Sequence, residues 1–154
     1  MNPQSKETAV DPMAEQTPEL LRQYTYRWFD EVWNERRDGA IDHFVADPVE
    51  SQGPAPKKYG LMRKTDFRAW HRQLLEAFPD IWFEVHSVVV DGDISAARYS
   101  VSGTHLGDLD GLPASQKEVH ITGMTMFRWR GGKIQESWNN HDQLGLLQQI
   151  GFVD

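Results

Sequence analysis

The sequence predicts an α+β domain in which three N-terminal helices pack on a strongly curved antiparallel sheet and enclose a cavity. Up to residue 78, apolar residues recur at spacings of three and four, as on the buried face of a helix. From residue 81 onward, segments rich in β-branched and aromatic residues alternate with Asp-Gly and Gly-Gly turn signals. A chain of 154 residues has room for one domain. We therefore expect a mobile leader over residues 1–16 and one domain over residues 17–154.

The first two predicted helices form a hairpin. The first begins at Thr17, whose hydroxyl can cap free amides and which is followed by a proline and an acid. The second begins at the capping residue Asp38 and ends at Asp47-Pro48. The buried stripe predicted for the first helix consists of Leu21, Tyr24, Thr25, Trp28, Phe29, Val32 and Trp33.

An irregular crossing and a third helix follow. Residues 51–60 contain two prolines and two glycines, which favours irregular structure. The third helix is predicted to begin at the capping residue Thr65 and to end at Phe78-Pro79.

The second half of the chain predicts four antiparallel strands and a short terminal helix. The helix covers residues 142–150, with Asp142 as its capping acid. A curved sheet covered by helices encloses a conical cavity, and small apolar ligands bind in such cavities. If Ser137 and Asn139 face the cavity, Trp138 faces away, and a homodimer through that outer face would bury it. The four strands are predicted over residues 81–90, 94–105, 117–130 and 133–140.

Composition excludes several classes of function. The formal charge of −7 repels phosphate backbones and anionic membrane surfaces, so we expect neither a nucleic-acid nor a membrane partner. The chain has no cysteine, which removes thiolate nucleophiles and cysteine-based metal sites. No apolar run resembles a signal peptide or a membrane span, so a cytoplasmic location is the default expectation.

Several short motifs, in a fixed order over about residues 18–151, carry a family resemblance. They are Glu31-Val32-Trp33-Asn34, Ala77-Phe78-Pro79-Asp80, Gly103-Thr104-His105-Leu106-Gly107, Gly111-Leu112-Pro113, Gly131-Gly132-Lys133-Ile134, Trp138 through Asp142, and Leu144 through Gly151. Together they resemble the SnoaL-like polyketide cyclases, within the superfamily of cone-shaped domains named after nuclear transport factor 2.

The resemblance implies a cavity but departs from the family at the reacting groups. Characterised relatives close a polyketide ring by an intramolecular aldol reaction without metal or organic cofactor, using an aspartate on the last strand and a nearby histidine. Alignment through the Gly-Gly-Lys-Ile turn puts Asn139 and Thr125 at these two positions. An amide does not exchange a proton near pH 7, so the aldol mechanism does not simply carry over. The alignment also implies that Trp33, Trp70 and Ser51 contact substrate.

Four residues near the end of the sheet are candidates for chemistry. Asn139 could hold a carbonyl oxygen or an enolate, or only satisfy neighbouring backbone and water. Asp142 could cap the last helix, or turn into the cavity mouth beside His141 and raise the proton affinity of that imidazole. His105 ends a strand and could act as a general base, or fix the following loop by hydrogen bonding.

The remaining candidates are predicted to bind substrate. Trp33 and Trp70 suit a planar ligand by stacking, or are core residues. His71 shares an apolar helix face and is either a core residue or reaches a ligand from the helical side. Thr125 is either a minor hydrogen-bond partner or an ordinary strand threonine.

No metal site is expected, because His141-Asp142 lacks further histidines at helical spacing. Strand direction alone leaves the orientation of three polar residues open: Tyr26, Glu50 and Arg98.

Three functions remain. The first is a cofactor-free enzyme acting on a small hydrophobic, oxygenated, polyketide-like metabolite by cyclisation, isomerisation, hydration or hydrolysis. The second is a non-catalytic binding protein of the same fold. The third is a protein–protein module, which would require a monomer with a bare apolar sheet face.

Overall fold

The computed structural model describes residues 16–53 and 59–154, which form helices packed on one side of a curved, open, six-stranded sheet. This confirms the predicted α+β fold class. The predicted leader lies outside the described residues except for Gln16, whose side-chain amide donates to the Trp129 carbonyl at 3.0 Å.

The first helix begins where the sequence predicts it. Helix α1 covers Pro18–Arg27, and the Thr17 hydroxyl accepts a hydrogen bond from the Leu20 amide at 3.2 Å. The chain then continues as a π-helical segment over Trp28–Asn34, rather than as the uninterrupted α-helix that the spacing predicts. A π-helix holds more residues per turn than an α-helix.

Most side chains of the π-helical segment are buried. Trp28, Phe29, Val32, Trp33 and Asn34 are all buried. The Asn34 amide also bonds the backbone of Phe83: its nitrogen donates to the Phe83 carbonyl at 2.9 Å, and its oxygen accepts from the Phe83 amide at 2.7 Å. The segment is therefore fixed to the edge of the sheet.

Two further helices complete the helical layer. Helix α2 covers Asp38–Phe44 and ends before the predicted stop. Helix α3 covers Lys64–Ala77, and its N-cap lies two residues earlier than predicted. The prediction that Thr65 caps α3 is wrong, because the N-cap is Arg63, whose backbone amide donates to the Asp66 carboxylate at 3.3 Å.

The sheet contains the four predicted strands and two that the sequence analysis missed. Its order is β2-β1-β6-β5-β4-β3, and all neighbours are antiparallel except β1 and β6, which are parallel. The four predicted strands each end within one residue of their expected bounds. The strands are β1 (Val45–Gln52), β2 (Tyr59–Met62), β3 (Trp82–Asp91), β4 (Ile94–Thr104), β5 (Glu118–Arg130) and β6 (Lys133–His141).

Strands β1 and β2 correct the prediction of an irregular crossing over residues 51–60. Pro48 lies inside β1, where the pairing with β6 shifts register between Val45 and Glu50. A proline has no amide hydrogen to donate, and such an irregularity is one of the places where a strand tolerates it. Part of the predicted crossing, residues 54–58, lies outside the described residues.

A short helix closes the domain, as predicted. Helix α4 covers Gln143–Gln149, and its buried Leu146 faces the core. The Gln149 side chain bonds the backbone amide and carbonyl of His120 on β5, at 2.6 and 3.0 Å. No helix in the described part of the chain has both the length and the apolar character needed to cross a bilayer.

The two faces of the sheet differ in character. On β5, buried and exposed residues alternate, so that Thr125 and Phe127 face the helices while Met124 and Met126 face outward. Met124 and Met126 are 60% and 41% exposed. The helix-covered face carries the core and the cavity, and the outer face is left with exposed apolar side chains.

Candidate functional site

A cavity of about 1180 Å³ lies between the helices and the inner face of the sheet. Its lining includes acidic and amide side chains, among them Glu76, Asp108, Asp110 and Gln143. Aromatic side chains form a large part of its wall: Trp28, Phe29, Trp33, Phe67, Trp70, Phe78, Phe83, Tyr99 and Phe127.

A chain of hydrogen-bonded polar side chains crosses the cavity wall from β5 through β6 to β1. Thr125 Oγ1 donates to Asn139 Oδ1 at 2.6 Å. Asn139 Nδ2 donates to Ser137 Oγ and to the Gln52 carbonyl, both at 3.2 Å. Ser137 Oγ in turn donates to Ser51 Oγ at 3.2 Å. We call these four residues, Thr125, Asn139, Ser137 and Ser51, the polar chain.

The polar chain determines which of its hydrogens a ligand can use. Both amide hydrogens of Asn139 are engaged by protein atoms, so Asn139 retains only an acceptor position on Oδ1. Ser51 accepts from Ser137 and keeps its own hydrogen, because it stands at the end of the chain. A ligand oxygen would therefore be bound by Ser51 rather than by the Asn139 amide.

His141 lies at the end of β6 in the cavity lining. Its Nε2 is 2.5 Å from Gln143 Oε1. Because a carbonyl oxygen only accepts, this contact places the imidazole proton on Nε2 and leaves the Nδ1 lone pair available. Among the polar chain and His141, the imidazole is the group whose chemistry suits a general base.

Trp33 and Trp70 both form part of the cavity wall. That they contact substrate stays a prediction. Their rings pack edge to face with centroids 5.7 Å apart. Trp33 is 4% exposed and also packs on Phe83 at 5.3 Å. The two rings therefore serve the core and the cavity surface at once.

Tyr99 is a polar cavity residue that the sequence analysis missed. It lies on β4, is 7% exposed and packs against Phe29 and Phe83 at 5.4 and 5.2 Å. Burial raises the pKa of Tyr99 to about 12. A signal was present in Gly123, which pairs with Tyr99 and leaves room for a large side chain, but only the strand register reveals that pairing.

Comparison with known proteins identifies the family. A model of the family described as SnoaL-like polyketide cyclase matches residues 23–150, which is most of the chain. The chain belongs to the SnoaL-like polyketide cyclase family. No functionally curated protein matches it at a significant level.

Solved structures of similar proteins share the fold over most of this chain. TsrD from Streptomyces laurentii is 25% identical, with a TM-score of 0.78, over 90% of this chain and 100% of that one. A proposed polyketide cyclase from Acidithiobacillus ferrooxidans is 25% identical, with a TM-score of 0.72, over 83% and 92% of the two chains. IdmH from Streptomyces antibioticus, also a proposed polyketide cyclase, is 24% identical, with a TM-score of 0.71, over 84% and 96%.

His105 lies outside the cavity lining of this SnoaL-like domain, although it was a candidate general base. It is fully buried beside Phe78, and its Nδ1 accepts a hydrogen bond from the Ser115 amide at 3.1 Å. Its backbone also bonds Gln116 and Lys117. These contacts correspond to the alternative in which His105 fixes the following loop.

His71 and Asp142 are also placed away from the cavity lining. His71 is 2% exposed, and its Nε2 lies 2.8 Å from the Val32 carbonyl between α3 and the π-helical segment. Asp142 Oδ1 accepts from the Gly145 amide at 2.9 Å, which is the helix-capping alternative. The cavity lining therefore includes Trp33, Ser51, Trp70, Thr125, Asn139 and His141. It does not include His105, Asp142 or His71, although the His71 ring packs behind Trp33 at 4.7 Å.

Three polar residues of open orientation, Tyr26, Glu50 and Arg98, lie outside the cavity lining. Within residues 16–53 and 59–154, no three imidazole or carboxylate groups are arranged to hold a metal ion. The absence of a metal cofactor therefore stays a prediction.

Proposed function

We propose that this protein is an enzyme of the cyclase or isomerase type that acts, without a cofactor, on a small hydrophobic oxygenated metabolite of the polyketide class. The observation that carries the proposal is the cavity of about 1180 Å³ with many aromatic side chains, an imidazole, His141, and a hydroxyl with an uncommitted hydrogen, Ser51, in its wall. Membership in the SnoaL-like family supports a cyclase or isomerase type of role.

The proposed chemistry is removal of a proton from the carbon next to a ligand carbonyl. His141 Nδ1 is the base, since Gln143 holds the opposite ring nitrogen as a donor. Ser51 donates to an oxygen of the ligand and positions it. Trp33 and Trp70 give flat surfaces suited to a planar ring system.

Assaying ring closure tests this proposal. The probe is an anthraquinone carrying an open β-keto ester side chain, and the product is the cyclic isomer of equal mass, separated by liquid chromatography and detected by mass spectrometry. We expect wild type to form it and His141→Gln to be at least about 100-fold slower, as expected for loss of a general base. His120→Gln is the matched control, because His120 is exposed on the outer face.

Other outcomes would contradict the proposal. Equal rates in wild type and His141→Gln would remove His141 from the mechanism. If only Asn139→Asp closed the ring, the wild-type protein would not be a cyclase of this kind, although the fold would still support one.

A second candidate is a binding protein without turnover. The neutral amide in the polar chain supports it, because Asn139 has no proton to exchange. Under this alternative, native mass spectrometry after incubation with metabolite extracts would detect a retained ligand, and time-resolved analysis would detect no product.

We also infer that the outer face of the sheet packs against a second copy of the chain. Val89 on β3 is 65% exposed, and Met124 and Met126 on β5, across the intervening β4, are 60% and 41% exposed. Trp138 lies on the outer side of β6, with the Arg128 guanidinium over its ring at 5.8 Å. Such a patch on one side of a sheet suits a symmetric interface.

A further inference from the structure

The Tyr99 hydroxyl occupies a position in the cavity that the proposed function has not used. We propose that it donates a hydrogen bond to the ligand's carbonyl oxygen, the one next to the carbon from which His141 removes a proton. The inference rests on the proposed function, because it requires a small-molecule ligand in the cavity. The inference adds a requirement to the proposed function: the ligand must carry a ketone or ester carbonyl within reach of the Tyr99 hydroxyl.

Gly123 determines where the phenol ring lies. A Cβ atom added at position 123 would lie 2.4 Å from Tyr99 Oη and 2.5 Å from Cζ. Gly123 is not among the glycines with positive φ, so its backbone conformation does not require glycine. The absence of a side chain at 123 is instead what allows the end of the phenol to lie on β5.

The strand register then places the hydroxyl near His141. Tyr99 pairs with Gly123, and Gly123 pairs with His141 on β6. Paired Cα atoms in an antiparallel sheet are about 4.5–5.5 Å apart. Because the phenol reaches across to Gly123, its oxygen lies about one strand spacing from the backbone of His141. The two groups can therefore contact neighbouring atoms of one ligand.

The hydroxyl has no protein partner to compete with a ligand. No hydrogen bond to Tyr99 Oη is present among the described residues. The side-chain atoms in this part of the chain that are both fully buried and unpartnered are Gln16 Oε1 and His105 Nε2. Since Tyr99 Oη is not one of them, it keeps contact with open space, and Tyr99 lines the cavity.

The protonation state suits a donor. Burial raises the pKa of Tyr99 to about 12, so the phenol keeps its proton under ordinary conditions. When His141 Nδ1 takes the proton, the electrons of the broken C–H bond form the carbon–carbon double bond of an enolate, and negative charge develops on the carbonyl oxygen. The phenol hydrogen bond stabilises this oxygen, and the phenol proton stays on Tyr99.

A pair of probes that differ in one carbonyl tests the inference. The probes are 1-tetralone, labelled with ¹³C at the carbonyl, and tetralin, which has the same ring system without oxygen. Titrations give the Kd of each, and infrared spectroscopy gives the carbonyl stretch of bound tetralone. In wild type we expect a stretch shifted to lower frequency. In Tyr99→Phe we expect loss of that shift, a tetralone Kd about tenfold higher and an unchanged tetralin Kd.

Two further variants guard against a purely structural effect. Gly123→Ala keeps the hydroxyl but displaces it, so we expect the same loss of the infrared shift. Tyr24→Phe removes a buried phenol hydroxyl outside the cavity lining, so we expect it to change neither the Kd of either probe nor the carbonyl stretch.

The outcomes separate this inference from the proposed function. If wild type binds both probes but Tyr99→Phe leaves the carbonyl stretch and the tetralone Kd unchanged, the Tyr99 inference is overturned while the ligand cavity stands. If wild type binds neither probe up to its solubility limit, the small-molecule function fails and the Tyr99 inference fails with it.

Discussion

Residue 139 shows how a single side chain constrains the chemistry of the whole site. Asn139 accepts from Thr125 and donates to Ser137 and to the backbone of β1. A carboxylate there could not make the two donated bonds, so the amide suits the polar chain as it is. Base catalysis in this cavity must therefore come from a different residue, and His141 is the imidazole that lines it.

His71 is a titratable residue whose role is structural. Burial lowers its pKa below the usual 6.5, and its neutral ring donates to the Val32 carbonyl. The unfolded chain therefore binds a proton more readily than the folded one. The stability that the neutral ring contributes is present above pH 6.5 and is lost as the pH falls through the lower folded-state pKa.

Acid unfolding measures this effect. We expect the free energy of unfolding of wild type to fall between pH 7.5 and pH 5, and to fall less steeply in His71→Gln, whose amide can still donate to Val32. Urea titrations at several pH values give both slopes, and the NMR titration of His71 should have its midpoint below 6.5. Equal slopes in the two proteins would contradict the assignment.

At the scale of helices and strands, the predicted bounds were accurate where a cap or a turn residue marked the end of the element. The start of α1 at a capping threonine and proline, and the four strands bounded by turn residues, follow from local chemistry. The π-helical segment could not be predicted, since its inward residues also fit an α-helical stripe. Strand β1 was missed because its proline argues locally against a strand, while its pairing with β6 lies about 90 residues away in sequence.

Helix α4 gives a test that separates capping from catalysis. Asp142→Ala should lower the free energy of unfolding by about 1 kcal/mol, since it removes the acceptor for the Gly145 amide. Asp142→Asn should be close to wild type both in stability and in ring closure, because asparagine caps as well as aspartate does. Denaturant unfolding measures the first effect. A large loss of turnover in the stable Asn variant would show that the carboxylate has a catalytic role.

At the scale of the whole molecule, the outer face predicts the oligomeric state. We expect wild type to sediment at twice the 17.7 kDa chain mass, and Met124→Glu to weaken self-association at least about 100-fold, because a charge would be buried in the interface. Leu144→Glu is the matched control, with 61% exposure on α4 instead of the sheet. A wild-type monomer would contradict the dimer and favour a surface that binds another protein.

The sequence by itself determined the fold class, the family resemblance and most element boundaries, because these depend on periodicity, caps and turns that lie within a few residues of each other. The resemblance also implied that Asn139 stands where characterised relatives carry an aspartate. Only the tertiary structure decided which side chains share the cavity. Strand register placed Tyr99 over Gly123 beside His141, and helix packing placed His71 and His105 in the core, because such contacts join residues that are far apart in the chain.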